Sequence, residues 1–110
     1  MPAPSIQCWL ALPDGQRVDL VGTLTIGRLP DNELVLTDER ISRRHALIET
    51  REEMQFWLVD LGGANGSYIN GRRIAEPAQL QHGDVVQLSG VSLVFHCEPF
   101  IQRSPDGMPV

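Results

Sequence analysis

The sequence predicts an all-β domain, because short β-type runs alternate with turn signals along most of the chain. Within these runs apolar and polar residues alternate with the period of two that marks half-buried strands. No stretch keeps a helical period over two turns, and the chain contains no internal repeat. With 110 residues, 42% of them hydrophobic, the chain fits one domain with its own core. This pattern favours a sandwich or a barrel.

The first half of the chain is predicted to contain six strands. The first, 6–12, ends at Pro13-Asp14-Gly15, where a fixed φ, a side-chain acceptor and a glycine favour a turn. Residues 17–20 follow as its hairpin partner. The next run, 23–26, alternates so that Leu24 and Ile26 should face inward. Pro30 interrupts strand structure after it. The remaining strands of this half are predicted at 34–36, 45–49 and 55–61.

The second half is predicted from its turns. The segment Gly62-Gly63-Ala64-Asn65-Gly66 indicates a tight, flexible loop. Asn70-Gly71 is a strong two-residue hairpin signal between the runs 68–69 and 72–74. His82-Gly83-Asp84 indicates another turn, after which strands at 85–88 and 91–97 close the domain. From Phe100 onward the pattern is lost, which predicts a tail or a linker.

Charge and composition restrict the class of partner. The net charge of −5 disfavours duplex nucleic acid, whose binding depends on neutralising phosphates. All nine cationic residues are arginine, and four of them fall within twelve residues, at 40, 43, 44 and 51. Arginine suits planar, bidentate contact with phosphate or carboxylate. No apolar run is long enough to cross a bilayer, and the start lacks a secretory pattern. We therefore expect no membrane association and a cytoplasmic location.

The two cysteines, Cys8 and Cys97, lie near opposite ends of the predicted domain. A disulfide between them is geometrically possible if the first and last strands are neighbours. Because the sequence lacks a secretory signal, we expect two reduced thiols instead.

Three polar islands interrupt the strand pattern: Gly27-Arg28, Ser42-Arg43-Arg44-His45 and Asn65-Gly66-Ser67. The serine hydroxyl and the arginine guanidinium groups can donate hydrogen bonds to one anion, and such charge-assisted bonds contribute about 1.5–3 kcal/mol each. The asparagine amide carries both donors and an acceptor, which suits a peptide backbone. These groups together fit a phosphorylated peptide.

Other interpretations of the same residues are weaker. Ser42 and His45 would face opposite sides of a strand, so a nucleophile and base pair is not expected. For His45 we instead expect a buried imidazole bonded to backbone groups, which braces the loop that carries Ser42. No metal-ligand spacing links the histidines and cysteines, so we predict no metal site. The glycine-rich loop lacks the Gly-Lys-Ser/Thr sequence that ends a nucleotide-binding loop, so nucleotide binding is not expected. Trp9 and Trp57 are interpreted as packing residues.

The order and spacing of the three islands resemble those of the forkhead-associated (FHA) domain family. This resemblance implies a SMAD/FHA-type β-sandwich of two sheets, commonly with about eleven strands, whose ligand lies on loops at one end. It covers residues 6–98 and leaves an N-terminal tail at 1–5 and a C-terminal tail or linker at 99–110. The matching segments are Thr25-Ile26-Gly27-Arg28, Val35-Leu36, Ile41-Ser42-Arg43-Arg44-His45-Ala46, Asp60-Leu61-Gly62, Asn65-Gly66-Ser67, Ile69-Asn70-Gly71 and His82-Gly83-Asp84.

The resemblance also implies roles for individual residues. Arg28 and Ser42 would hold the phosphate of a phosphothreonine, and Arg43 would contact the phosphate or the nearby peptide. Asn65 would bind the peptide main chain. Structural support of the binding loops falls to Gly27, His45 and Gly66. Arg44 matches a variable position and has no assigned role.

One departure from the family bears on affinity. The loop before Asn65 often carries Ser-Thr in FHA domains, whereas this chain has Gly63-Ala64. The lost hydroxyl should cost about 0.5–1.5 kcal/mol of binding free energy. We therefore expect phosphothreonine binding that is retained but weakened.

The resemblance implies a non-catalytic phosphothreonine-binding module for protein–protein interaction in signal transduction, without a cofactor. We expect it to be part of a larger bacterial protein, and to be a monomer or a weak homodimer. The alternative is phosphate-independent protein–protein assembly through a sheet face, with vestigial binding loops.

Overall fold

The computed structural model describes residues 5–52, 55–62 and 65–100. These residues form eleven strands and no helix, which confirms the predicted all-β class. The strands are β1 (Ser5–Ala11), β2 (Arg17–Asp19), β3 (Leu24–Gly27), β4 (Leu34–Val35), β5 (Ala46–Arg51), β6 (Gln55–Asp60), β7 (Ser67–Ile69), β8 (Arg72–Arg73), β9 (Ala78–Gln79), β10 (Val85–Leu88) and β11 (Val91–Phe100).

The strands form two sheets that pack as a sandwich. One sheet has six strands in the order β2-β1-β11-β10-β7-β8, and the other has five in the order β4-β3-β5-β6-β9. All pairs are antiparallel except β3 with β4. In the part of the chain that the structure describes, no helix is long and apolar enough to cross a membrane.

The core lies between the two sheets and is built from the inward residues of the alternating strands. Leu24 and Ile26 are buried on β3, as the alternation predicted. The rings of Phe56 and Phe95 join the two sheets, with centroids 5.8 Å apart. Burial of a side chain of this size contributes about 1.5–3 kcal/mol of stability. The sandwich therefore provides a rigid frame for the loops at its ends.

The predicted turns have the expected backbone geometry. Asn70 and Gly71 both have positive φ, at 51° and 83°, as a two-residue hairpin between β7 and β8 requires. At Pro13-Asp14-Gly15 the carboxylate of Asp14 accepts a hydrogen bond from the backbone N–H of Gln16 at 2.9 Å. The two-residue strand β9 was not predicted, because it is too short to show an alternating pattern. The end strands extend one residue before and two residues after the predicted limits 6–98.

Cys8 and Cys97 form a disulfide, whereas two reduced thiols were expected. Strands β1 and β11 are neighbours, and their register places the two cysteines directly opposite each other with Cα atoms 4.0 Å apart. The expectation was wrong because the first and last strands are neighbours, which is the condition under which the sequence allowed a disulfide. The strand register that decides proximity is a long-range property that the sequence pattern did not give.

Both tryptophans pack on outer sheet faces. The Trp9 ring stacks on His96 with centroids 5.1 Å apart, and the Arg17 guanidinium lies 4.0 Å from the Trp9 ring centre. Trp57 lies beneath the Arg51 guanidinium at 4.6 Å. These contacts agree with the prediction that the tryptophans are packing residues.

Candidate functional site

The first two polar islands meet because β3 and β5 are antiparallel neighbours, so the end of β3 lies beside the start of β5. The backbone N–H of Arg28 donates to the carbonyl of Ser42 at 3.1 Å. The side-chain Nε of Arg28 donates to the carbonyl of Ile41, also at 3.1 Å. This second bond fixes the direction of the exposed Arg28 side chain and leaves its terminal nitrogens for another acceptor.

Gly27 permits this close approach of the two loops. A Cβ atom at Gly27 would lie 2.2 Å from the carbonyl oxygen of Arg43 and 2.7 Å from Nδ2 of Asn32. Both distances are far below van der Waals contact. The glycine is therefore required by space, since any side chain would push the Ser42-Arg43 segment away from Arg28.

Asn32 is a supporting residue that the sequence analysis missed. Its side chain is 5% exposed, and Nδ2 donates to the carbonyls of Leu29 and Arg43, both at 2.9 Å. The amide thus ties the loop after β3 to the loop before β5. Sequence alone did not distinguish it from an ordinary loop asparagine, because its partner Arg43 is eleven residues away.

His45 connects the second island to the third. Its imidazole is fully buried, Nδ1 accepts from the backbone N–H of Ser42 at 3.2 Å, and Nε2 lies 2.7 Å from the carbonyl of Gly66. Satisfying both bonds requires the neutral tautomer with its proton on Nε2. The ring is buried and bonded to backbone groups, which is the arrangement predicted for it.

The prediction that strand alternation separates Ser42 from His45 is wrong. Ser42 and His45 both precede β5, so strand alternation does not separate them. They do contact each other, but through the backbone N–H of Ser42 rather than its hydroxyl. With both ring nitrogens bonded to backbone groups, the imidazole has no free nitrogen for a general base.

The third island is held in place by neighbouring loops. Nδ2 of the exposed Asn65 donates to the carbonyl of Arg40 at 3.2 Å and to the hydroxyl oxygen of Ser89 at 3.1 Å. The Ser89 hydroxyl in turn donates to the same Arg40 carbonyl at 2.8 Å. Within the described residues, these bonds leave Oδ1 as the unpartnered group of the Asn65 amide. The side chain is thus oriented to accept a hydrogen bond from a ligand N–H.

Asp60 fixes both ends of the loop that carries Asn65. One carboxylate oxygen accepts from the Ser67 hydroxyl at 2.6 Å, and the other accepts from the backbone N–H of Gly62 at 3.0 Å. Gly63 and Ala64, on which the expectation of weakened affinity rests, lie outside the described residues.

Of the four arginines in the loops after β3 and before β5, two form ion pairs with aspartates. Arg40 forms an ion pair with Asp38, and Arg44 forms one with Asp31. Hydrogen bonds from the Arg40 side chain and backbone lower the pKa of Asp38 to about 2. Across the ranges 5–52, 55–62 and 65–100, Arg28 and Arg43 have no carboxylate partner. The loops after β3 and before β5 therefore carry two exposed guanidinium groups without a carboxylate partner among the described residues, and Ser42 directly precedes one of them, Arg43.

A second cluster lies away from these loops. His82, His96 and Glu98 offer ligand atoms that lie within 4.8 Å of one another, a proximity that sequence spacing did not show. However, Nδ1 of His82 accepts from the backbone N–H of Cys97 at 3.0 Å, so a neutral ring carries its proton on Nε2. Coordination through Nε2 would require that bond to break. The absence of a metal site stays a prediction.

Comparison with known proteins agrees with the fold and with the order of the islands. The sequence model of the FHA domain matches residues 24–89, which is more than half of the chain. A solved structure from a study of phosphothreonine-dependent FHA domain interactions is 31% identical. It has a TM-score of 0.78 and is matched over 84% of this chain and 98% of its own.

Two curated relatives each match 77 residues of the chain. The glycogen accumulation regulator GarA of Mycolicibacterium smegmatis is 42% identical over 77 residues, which are 70% of this chain and 48% of the relative. The oxoglutarate dehydrogenase inhibitor of Corynebacterium efficiens is 40% identical over 77 residues, which are 70% of this chain and 53% of the relative. The chain thus spans about half the length of these relatives. On the family match and the shared fold, the chain belongs to the FHA domain family.

Proposed function

We propose that this domain is a non-catalytic module that binds phosphothreonine peptides at Arg28, Ser42, Arg43 and Asn65. The observation that carries the proposal is that Arg28 and Arg43, which have no carboxylate partner among the described residues, lie in loops that are bonded to each other and, through His45, to the loop of Asn65. Exposed arginine side chains on a braced frame suit a phosphate dianion, which takes several charge-assisted hydrogen bonds at once.

Each residue has a distinct part in the proposed complex. The terminal nitrogens of Arg28 and the hydroxyl of Ser42 donate to phosphate oxygens, and Arg43 adds a further cation. Asn65 accepts a backbone N–H of the peptide through Oδ1, since its amide nitrogen is already engaged. Gly27, His45 and Gly66 support the loops without touching the ligand. The site forms no covalent bond with its ligand and needs no cofactor.

The relatives support a regulatory setting for this binding. Their names describe a regulator of glycogen accumulation and an inhibitor of oxoglutarate dehydrogenase. We propose that this domain likewise belongs to a larger bacterial signalling protein and acts in the cytoplasm on a phosphorylated protein partner. The lost hydroxyl at Ala64 lowers the affinity by up to about tenfold relative to a loop with threonine there.

Calorimetry with one phosphothreonine peptide and its unphosphorylated copy tests the proposal. The peptide is first selected from a degenerate phosphothreonine library by the wild-type domain. Arg28→Gln removes the charge and should lower the affinity at least tenfold, because a charge-assisted bond contributes about 1.5–3 kcal/mol. Arg51→Gln is the matched control, since Arg51 is an exposed arginine at the other end of β5 and pairs with Glu49.

Equal affinities for the two peptides would refute phosphate recognition. The competing function, assembly through a sheet face, predicts self-association that Arg28→Gln leaves unchanged. Light scattering at rising protein concentration measures that association directly. A monomer at all concentrations, together with phosphate-dependent binding, would exclude assembly as the main function.

A further inference from the structure

Arg73 places a guanidinium group beside the proposed peptide site, although neither the sequence pattern nor the proposed phosphate contacts involve it. It lies on β8, directly opposite Tyr68 in the register with β7, so its side chain crosses β7 diagonally toward Gly66. A Cβ atom at Gly66 would lie 2.6 Å from Nε of Arg73 and 2.9 Å from Cζ. The guanidinium therefore rests against the backbone next to Asn65.

The backbone at Gly66 makes this close contact possible. Gly66 has a φ of 73°, a conformation that residues with a side chain rarely adopt. Its carbonyl is hydrogen-bonded to Nε2 of His45. A substituent at this position would displace the Arg73 side chain. Gly66 thus serves two purposes, since it shapes the loop and leaves room for a cation above it.

Arg73 differs from four of the other arginines in having no carboxylate partner, a property that it shares with Arg28, Arg43 and Arg72 in the described part of the chain. Arg17, Arg40, Arg44 and Arg51 each form an ion pair with an aspartate or a glutamate. In the described part of the chain, Arg73 has neither an ion pair nor a side-chain hydrogen bond, and it is exposed. The chain has 14 acidic residues and nine arginines, so carboxylates are not scarce. A cation that rests on the binding loop without a carboxylate partner is available to a ligand.

We propose that Arg73 is a specificity-determining contact of the domain. It favours phosphothreonine peptides that carry a second anionic side chain, aspartate or glutamate, on the side where the peptide passes Asn65. This inference rests on the proposed function and extends it to the class of sequence around the phosphothreonine. The fork of Arg73 matches a carboxylate, and Asn65 holds the peptide backbone next to it.

A matched set of peptides tests the inference. The probe is the phosphothreonine peptide selected by the wild-type domain, synthesised with aspartate or asparagine at each of the three positions on either side of the phosphothreonine. We expect the wild type to prefer aspartate at one or more of these positions by about threefold to fivefold, as a partly exposed ion pair allows. The preference should disappear in Arg73→Gln and return only in part in Arg73→Lys, which restores the charge but not the fork.

Arg72→Gln is the control, because it removes the same charge from the same strand while Arg72 lies opposite Ile69 instead of Tyr68. It should keep the aspartate preference. If Arg73→Gln weakened aspartate and asparagine peptides equally, Arg73 would only pack on Gly66 and the inference would be wrong. If the wild type bound the peptides without any preference, the inference alone would fail. If it bound no phosphopeptide, the proposed function would fail with it.

Discussion

Nε2 of His45 donates a hydrogen bond of 2.7 Å to the carbonyl of Gly66, 21 residues further along the chain. Through Nδ1 the same ring accepts the backbone N–H of Ser42. One buried side chain therefore sets the separation between the loop that carries Ser42 and the loop that carries Asn65. In the proposed complex, these loops hold the phosphate and the peptide backbone respectively.

Replacing His45 by leucine should lower both stability and affinity. The leucine would leave the Ser42 N–H and the Gly66 carbonyl buried without partners, and each such group costs about 1–3 kcal/mol. We expect the free energy of unfolding to fall by about 2–5 kcal/mol in urea titrations.

Two milder variants separate the bonds, since His45→Asn keeps an acceptor near Nδ1 and His45→Gln keeps a donor near Nε2. His96→Leu is the control because His96 packs on Trp9 outside the core. A His45→Leu domain as stable as the wild type would show that the imidazole is not a brace.

Asn32→Leu tests the second connection between the binding loops. The substitution keeps the branched shape of the side chain but removes the bonds to the carbonyls of Leu29 and Arg43. We expect a loss of about 1–3 kcal/mol in unfolding free energy and a weaker phosphopeptide affinity, because the segment that carries Ser42 is released. Glu33→Gln, at the exposed neighbouring position, should change stability by less than about 0.5 kcal/mol, because Glu33 forms no ion pair in the described part of the chain. Calorimetry and urea titration of both variants provide the comparison. If the two variants had the same affinity and the same unfolding free energy, Asn32 would not support the site.

Gly27→Ala and Gly90→Ala form a pair that separates backbone clashes from side-chain clashes. At Gly27 a Cβ would meet the Arg43 carbonyl at 2.2 Å, whereas at Gly90 it would meet the tip of the Arg40 side chain at 2.3 Å. A flexible guanidinium moves at low cost, but a bonded backbone carbonyl does not. We expect Gly27→Ala to lower the melting temperature by several degrees, as about 1–3 kcal/mol of overpacking strain implies. Gly90→Ala should melt close to the wild type, and equal melting temperatures would contradict this account.

The sequence predicted the parts of this molecule that depend on local pattern. The alternation around Leu24 and Ile26 predicted that both are buried, and Asn70-Gly71 predicted a hairpin. Both predictions were correct because each signal is complete within a few residues. The resemblance to a family placed the three islands in one site. Asn32 and Arg73 escaped prediction, since each acts on a residue that only the packed loops bring near. The cysteine pairing escaped for the same reason, as it depends on the register between the first and last strands.

The disulfide predicts that both cysteines are oxidised, whereas the lack of a secretory signal predicted reduced thiols. Titration of freshly prepared protein under denaturant should find no free thiol. Reduction should lower the free energy of unfolding by about 2–5 kcal/mol, because Cys8 and Cys97 are 89 residues apart and the bond restricts the unfolded chain. Paired Cys8→Ser and Cys97→Ser substitutions should reproduce the reduced protein. Two titratable thiols per chain before reduction would contradict the structure.

Phosphopeptide affinity should fall between pH 7 and pH 5 for a reason that lies in the ligand. The second pKa of phosphothreonine is about 6, so at pH 5 only about one tenth of the peptide is dianionic, and a site that prefers the dianion loses up to about tenfold in affinity. The Asp38–Arg40 ion pair does not contribute to this loss. Because the pKa of Asp38 falls from 3.8 to about 2 on folding, its contribution to stability is present above pH 3.8 and is lost only as the pH falls through about 2.

Calorimetry at the two pH values should therefore give the same affinity ratio for the wild type and for Asp38→Asn. Tryptophan fluorescence over the same range serves as a control that the domain stays folded. An unchanged wild-type affinity at pH 5 would rule out a dianion preference. A ratio that changed with Asp38→Asn would assign the pH dependence to the protein instead of the phosphate.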